Sequence, residues 1–259
     1  MPLPSSINDL STTAGSNSPA GSESPSLIDD YLRTYASYIA QLRDTRGRFL
    51  AVQVFTASGT YTPTPGMVSC IIEDQGGGGG GAGITIPSAG NISLGAPGAC
   101  GAYAMGRFLA AAIGASQVVT VGAAGTASAG AAGGNGGTSS VGALISAAGG
   151  AGGGLLNNQV SPTINGNGVA TAAPTGGNIY GTRGVTSGIS SSTSASFGVG
   201  GVGGASKFGN GGSGGVLNGN GVAALNYGTG GGGTCGASGS ATLSGGAGLG
   251  GIVIIWEYA

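Results

Sequence analysis

Apolar positions change their spacing near residue 48. In SLIDDYLRTYASYIAQLRD (26–44), Ile28, Leu32, Tyr35, Ile39 and Leu42 recur at steps of 4, 3, 4 and 3. That is a heptad seam and predicts one helix. Ser26 suits the N-cap and Asp29 the first turn, while Arg43, Arg46 and Arg48 suit the last turn and Gly47 the stop. Two heptads are too short to be stable alone, so the seam packs either on its own copies or on the rest of the chain. The first reading, a short coiled coil at 26–48, is favoured.

Beyond it the pattern becomes that of strands. FLAVQVFT (49–56) and MVSCIIE (67–73) are rich in β-branched and aromatic residues, with Val68, Cys70 and Ile72 assigned to one face. Further strands are expected at 103–110, 117–122 and 141–146. A last one, IVIIWE (252–257), reads as a central strand. Short strands punctuated by turn residues predict a mainly β fold.

Glycine does the punctuating, with 62 glycines in 259 residues. The longest run is Gly76–Gly81, six in a row. Such a run has no side chain to bury and a high entropic cost, so it orders only if its backbone finds partners. GGNGG (133–137), GGAGG (149–153), GGVGG (200–204) and GGSGG (211–215) repeat two glycines and one other residue. Three is the period of a polyproline II turn. A flexible linker needs no period, so packed polyglycine II-like segments are expected within a glycine-rich β domain at 49–259, with ordered glycine loops as the fallback.

Charge narrows the function classes. Charged residues make up 6% of the chain, the net charge is −1 and histidine is absent. There is no basic footprint for nucleic acid, no apolar run of membrane-span length and no signal-peptide pattern. Without histidine there is no Ser–His or Cys–His dyad and no zincin site. Glu73 and Asp74 are adjacent and would point to opposite faces of a strand. GAGLGG (246–251) fits GxGxxG but precedes a strand, and Lys207 leads into Phe208, so neither is a phosphate loop. Asn91-Ile92-Ser93 fits a glycosylation sequon with no secretory signal to support it. Cys70, Cys100 and Cys235 lack CxxC spacing and read as small buried residues, with a disulfide between two of them left open. No enzyme, cofactor or metal is expected.

Two segments depart from the scaffold. Residues 1–25, with Pro2, Pro4, Pro19 and Pro25, read as an extended arm. Residues 155–197 are Asn-, Ser- and Thr-rich and read as a surface excursion. Aromatic and Arg side chains dominate binding hot spots, so Tyr180 and Arg183, with Asn178 beside them, are the candidate contact residues. Phe197, Phe208 and Tyr227 are secondary candidates that could equally pack inside.

QVFTASGTYTPTPGMVSCIIEDQGGGGGGAG (53–83), GAYAMGRFLAAAIGASQVVTVGAAG (101–125) and the closing GGIVIIWEYA resemble the glycine-rich domain of bacteriophage tail fibres and adhesins. The N-terminal SSINDLSTTAGSNSPAGSESPSLIDDYLRTYASYIAQLRD is similar to the segment that begins many such fibres. The resemblance implies a homotrimer in the virion tail, assembled in the host cytoplasm. Its N-terminal arm would attach to tail or baseplate proteins, and its distal part would bind a bacterial surface receptor. It implies no nucleic acid and no membrane insertion. The alternative is a structural tail or baseplate component without host contact.

Overall fold

The computed structural model describes residues 28–45, 47–166, 171–185 and 188–259, without the side chains of Asp29 and residues 40–45. The expected arm at 1–25, the Ser26 cap, Arg46 and the side chains of Leu42 and Arg43 therefore lie outside the described part. The chain divides into two compact units, Met1–Leu50 with Tyr258–Ala259, and Ala51–Glu257.

In the first unit the heptad pattern forms one helix, Ile28–Thr45 (α1). Tyr31 and Tyr38 are its buried positions. Along the seam Ile28, Leu32 and Ile39 are exposed and Tyr35 is half-buried. Its phenol oxygen has no hydrogen-bond partner among the described residues, and its ring stacks at 6.4 Å on that of Tyr31.

The second unit is mainly β. The strands in chain order are Phe49–Phe55 (β1), Gly59–Tyr61 (β2), Ser69–Gln75 (β3), Ile92–Gly95 (β4), Tyr103–Leu109 (β5), Gln117–Thr120 (β6), Ser139–Val141 (β7) and Ile145–Ala147 (β8). They continue as Leu155–Gln159 (β9), Thr163–Gly166 (β10), Tyr180–Thr182 (β11), Ile189–Ser194 (β12), Phe197–Val199 (β13), Thr234–Ala237 (β14) and Ile252–Tyr258 (β15). Four sheets result: β1-β15-β3-β5-β11, β2-β6-β7-β8, β14-β4-β9 and β10-β12-β13. The closing strand lies between two others, as its unbroken apolar run predicts.

Two local expectations change. Val68 lies ahead of β3 and is exposed, while Cys70 and Ile72 are fully buried. The strand expected at 141–146 is a hairpin, because Gly142 turns the chain at φ +50° between β7 and β8. All three cysteines are free and buried. The sequon is built into β4, where Ile92 and Ser93 are fully buried and Asn91 bonds Asn158.

The glycine segments follow a three-residue step. The amides of Gly76, Gly79 and Ala82 donate to the carbonyls of residues 102, 99 and 96. Those of Gly77, Gly80 and Gly83 donate to residues 137, 134 and 131, and those of Gly78, Gly81 and Ile84 to residues 249, 246 and 243. These three neighbours run antiparallel to the run. The carbonyls accept from three further segments: Gly77 and Gly80 from Gly150 and Gly153, Gly78 from Gly125, and Gly79 from Gly231. The run at 76–83 thus has six neighbours. The segment 229–233 has six as well, bonding to Gly79, Gly98, Gly201 with Gly204, Gly212 with Gly215, Val222, and Gly246 with Leu249.

Six neighbours leave no direction free for a side chain. A Cβ on Gly78 would run into the carbonyl of Thr229, and one on Gly231 into that of Gly246. The chain's two longest glycine runs, 76–81 and 230–233, are these two interior segments. Peripheral segments have one open side, and there the third residue of a pentad can carry a side chain: Asn135, Val202 and Ser213 are all exposed.

Candidate functional site

Three pieces of backbone build the site. The inner wall comes from β3 and β5, whose antiparallel register sets Gln75 opposite Tyr103. The outer wall is β11, which extends the same sheet and pairs Tyr180 with Met105 and Thr182 with Tyr103. The third piece is the turn Ser206–Gly209 between two glycine segments. It is pinned by the Ser206 hydroxyl, which donates to the Tyr227 carbonyl at 2.6 Å and accepts from the Phe208 amide at 3.0 Å. Between these pieces lies a cleft of about 340 Å3, with Tyr103, Tyr180, Thr182, Arg183, Ser206 and Lys207 in its lining. That is at the small end of ligand-pocket sizes.

Charge in the cleft is specific. Lys207 forms an ion pair with Glu73, and its ammonium stands 4.5 Å from the centroid of the Tyr103 ring. The ammonium also donates to the Tyr103 oxygen at 2.6 Å, and that phenol donates to Glu73 at 2.7 Å. The indole of Trp256 donates to the other Glu73 oxygen at 3.0 Å. Burial alone would raise the Glu73 pKa, but the donors Lys207, Tyr103 and Trp256 outweigh it and hold the carboxyl below its ordinary value. Burial, followed by the hydrogen bond to Glu73 and then that group's charge, keeps the Tyr103 phenol neutral far above its ordinary range. Among the described residues Arg183 makes no ion pair, and it lies exposed at the rim.

Of the three predicted contact residues, the cleft brings two together. Tyr180 is 55% exposed, and its ring lies 6.2 Å from that of Tyr103. Asn178 is elsewhere: its side chain accepts from the Arg107 amide and donates to the Arg107 carbonyl, both at 2.8 Å. It clips the chain entering β11 to β5 and so sets where Tyr180 falls. Phe208 packs edge-on against Tyr227 at 6.5 Å, and Phe197 is exposed on β13.

Sequence reasoning passed over Tyr103, Lys207, Glu73 and Trp256. One signal was present. Between residues 108 and 256 the chain has two charged side chains, Arg183 and Lys207, and both line this cleft.

The other buried polar groups serve the fold. Glu257 accepts from the Tyr61 hydroxyl at 2.7 Å, the Thr64 amide at 3.1 Å, the Thr64 hydroxyl and Gln53. Asp74 is fully buried, and among the described residues neither of its oxygens has a hydrogen bond of normal geometry. Burial pushes its pKa up to about 8, with the nearby Ala147 amide offsetting part of the effect. Among the described residues no cluster of His, Cys, Asp or Glu could hold a metal, and no helix is long and apolar enough to cross a membrane. What the cleft offers is the exposed ring of Tyr180, a guanidinium with no ion pair among the described residues, and hydroxyls. No protein-family model and no curated protein matches the chain.

Proposed function

We propose that this protein is a bacteriophage tail fibre that binds a receptor on the bacterial surface, joined to the virion tail through its N-terminal region. The resemblance of residues 53–83, 101–125 and 250–259 supports the family. The observation that carries the binding role is the convergence of Arg183 and Lys207 on one aromatic cleft in a domain that is otherwise almost uncharged. A purely structural spacer has no use for such a concentration of charge and ring surface.

The glycine segments are read as polyglycine II helices in hexagonal packing. The reading is supported by the three-residue step and the six neighbours of the runs at 76–83 and 229–233. Such a bundle makes a stiff platform for a small recognition surface. The α1 seam is read as a short coiled coil that makes the fibre a homotrimer. Its support is the exposure of Ile28, Leu32 and Ile39. Three copies would multiply a weak site into avidity. Recognition is non-covalent, with no catalytic step.

Adsorption tests this directly. Tyr180→Ala combined with Arg183→Ala is expected to weaken binding of the purified protein to host cells at least tenfold, about 1.4 kcal/mol. Thermal stability should stay within about 0.5 kcal/mol, the usual range for surface changes. Unchanged adsorption by the folded double mutant would place the binding site elsewhere, with the helix-proximal half the next place to look, whereas no adsorption by the wild-type protein would favour the structural-spacer alternative.

A further inference from the structure

We propose that the cleft between Tyr103, Tyr180, Arg183 and Lys207 takes one carboxylate-bearing sugar ring, a hexuronate unit of a surface polysaccharide. This rests on the reading of the domain as a bacterial-surface binder.

The charge count selects a monoanion. Arg183 and Lys207 bring two positive charges, and Glu73, paired with Lys207, brings one negative charge. One positive charge remains, and it is carried by the guanidinium that has no ion pair among the described residues. A planar guanidinium matches a carboxylate with two parallel hydrogen bonds. A neutral ligand would leave that group without a counter-charge.

The shape selects a ring. Tyr180 is 55% exposed and offers a ring face to the cleft, backed by the buried Tyr103, whose centroid lies 6.2 Å away at a tilt of 47°. The negative face of Tyr180 attracts the weakly positive C–H face of a pyranose. Hydroxyl partners stand at the rim. Thr182 donates to the Arg183 carbonyl at 3.2 Å, and Ser206 is fixed by its two bonds, so both present lone pairs in set directions. A cleft of about 340 Å3 accommodates a ring or two. The rest of the polymer would leave past the exposed edge of Tyr180.

The protein carries its own reporter. It has a single tryptophan, and the Trp256 indole donates to the carboxylate that holds Lys207. A ligand carboxylate drawing on Lys207 shifts Glu73 and with it the indole.

The experiment titrates the full-length protein with sodium glucuronate, following tryptophan fluorescence, with glucose and inorganic phosphate as parallel probes. Ligand-observed NMR on the same samples gives a second measure of binding. The expected result is saturable binding of glucuronate with a midpoint in the millimolar range. That midpoint should rise at least tenfold in Arg183→Ala and in Tyr180→Ala, both of which alter exposed side chains and should keep the wild-type circular dichroism spectrum. Glucose and phosphate should each bind at least tenfold more weakly than glucuronate. No saturation by glucuronate in either measurement would overturn the proposal, as would equal binding by wild type and Arg183→Ala. Phosphate binding as tightly as glucuronate would overturn the sugar assignment. No host cell enters this titration, so its outcome is separate from adsorption. Glucuronate binding that needs Arg183, in a protein whose adsorption does not, would keep the ligand and remove the attachment role.

Discussion

Single residues carry unusual weight where the backbone is the packing surface. At Gly78 and Gly231 an added methyl meets a carbonyl of a neighbouring segment, and the neighbour is backbone that cannot turn aside. Gly78→Ala should therefore cost about 3 kcal/mol or more, at the upper end of overpacking penalties. In a domain of this size that lowers the melting temperature by about 10 °C. Ser213→Ala, at the open third position of its pentad, should stay within about 0.5 kcal/mol. A melting-temperature drop of similar size in both variants would contradict the six-neighbour packing. Asp74 gives a pH test. Its folded pKa of about 8 lies above the unfolded value of about 3.9, so between these pH values the folded state holds a proton that the unfolded state lacks. The stability linked to Asp74 is complete below about pH 4 and falls as pH rises toward 8, by about 1.4 kcal/mol per pH unit. Asp74→Asn, which mimics the protonated acid, should flatten that slope in urea titrations at pH 5, 6, 7 and 8.

At the scale of elements, a glycine segment and a strand are held by the same currency in different geometry. A strand bonds to two neighbours, and here the interior runs bond to six. Each backbone bond contributes about 1 kcal/mol net, and no buried side chain adds to it, so these segments stand or fall with the assembly around them. Hydrogen exchange should show the amides of residues 76–84 among the slowest in the molecule, since all nine donate to other segments. Exchange there at the rate of an unstructured peptide would return the run to the linker reading. Strand β12 shows why some elements escape a search for apolar alternation. Its inward residues are Ser190 and Ser192, both buried. Ser190 donates to the Gly95 carbonyl at 2.7 Å and accepts from the Gly201 amide at 2.8 Å. Beside a glycine segment the neighbouring surface is peptide groups, so an inward hydroxyl is satisfied where an apolar side chain would leave those groups without partners.

For the whole molecule, the open question is how many copies act together. The seam on α1 leaves Ile28 50%, Leu32 65% and Ile39 68% exposed in the single chain, which is what a helix awaiting copies of itself would show. Light scattering at micromolar concentration should give three chains per particle, and Leu32→Asp with Ile39→Asp should give one. Trimers that survive the double change would move assembly to another surface. Three clefts on one particle would also make adsorption far steeper in receptor density than glucuronate binding by one site.

The sequence alone determined the helix, the mainly β class and the repeat of three, because each is a local period read over neighbouring residues. It also determined that Tyr180 and Arg183 stand apart from the glycine around them. Only tertiary structure decided that the runs at 76–81 and 230–233 occupy the interior, since having six neighbours is a property of the packed set. It likewise decided that Asn178 serves the backbone of β5, and that Glu73, Tyr103, Lys207 and Trp256 join one cleft. Those four residues are spread over 184 positions. Strand register and the turn at 206–209 bring them together, and neither leaves a periodic trace in the chain.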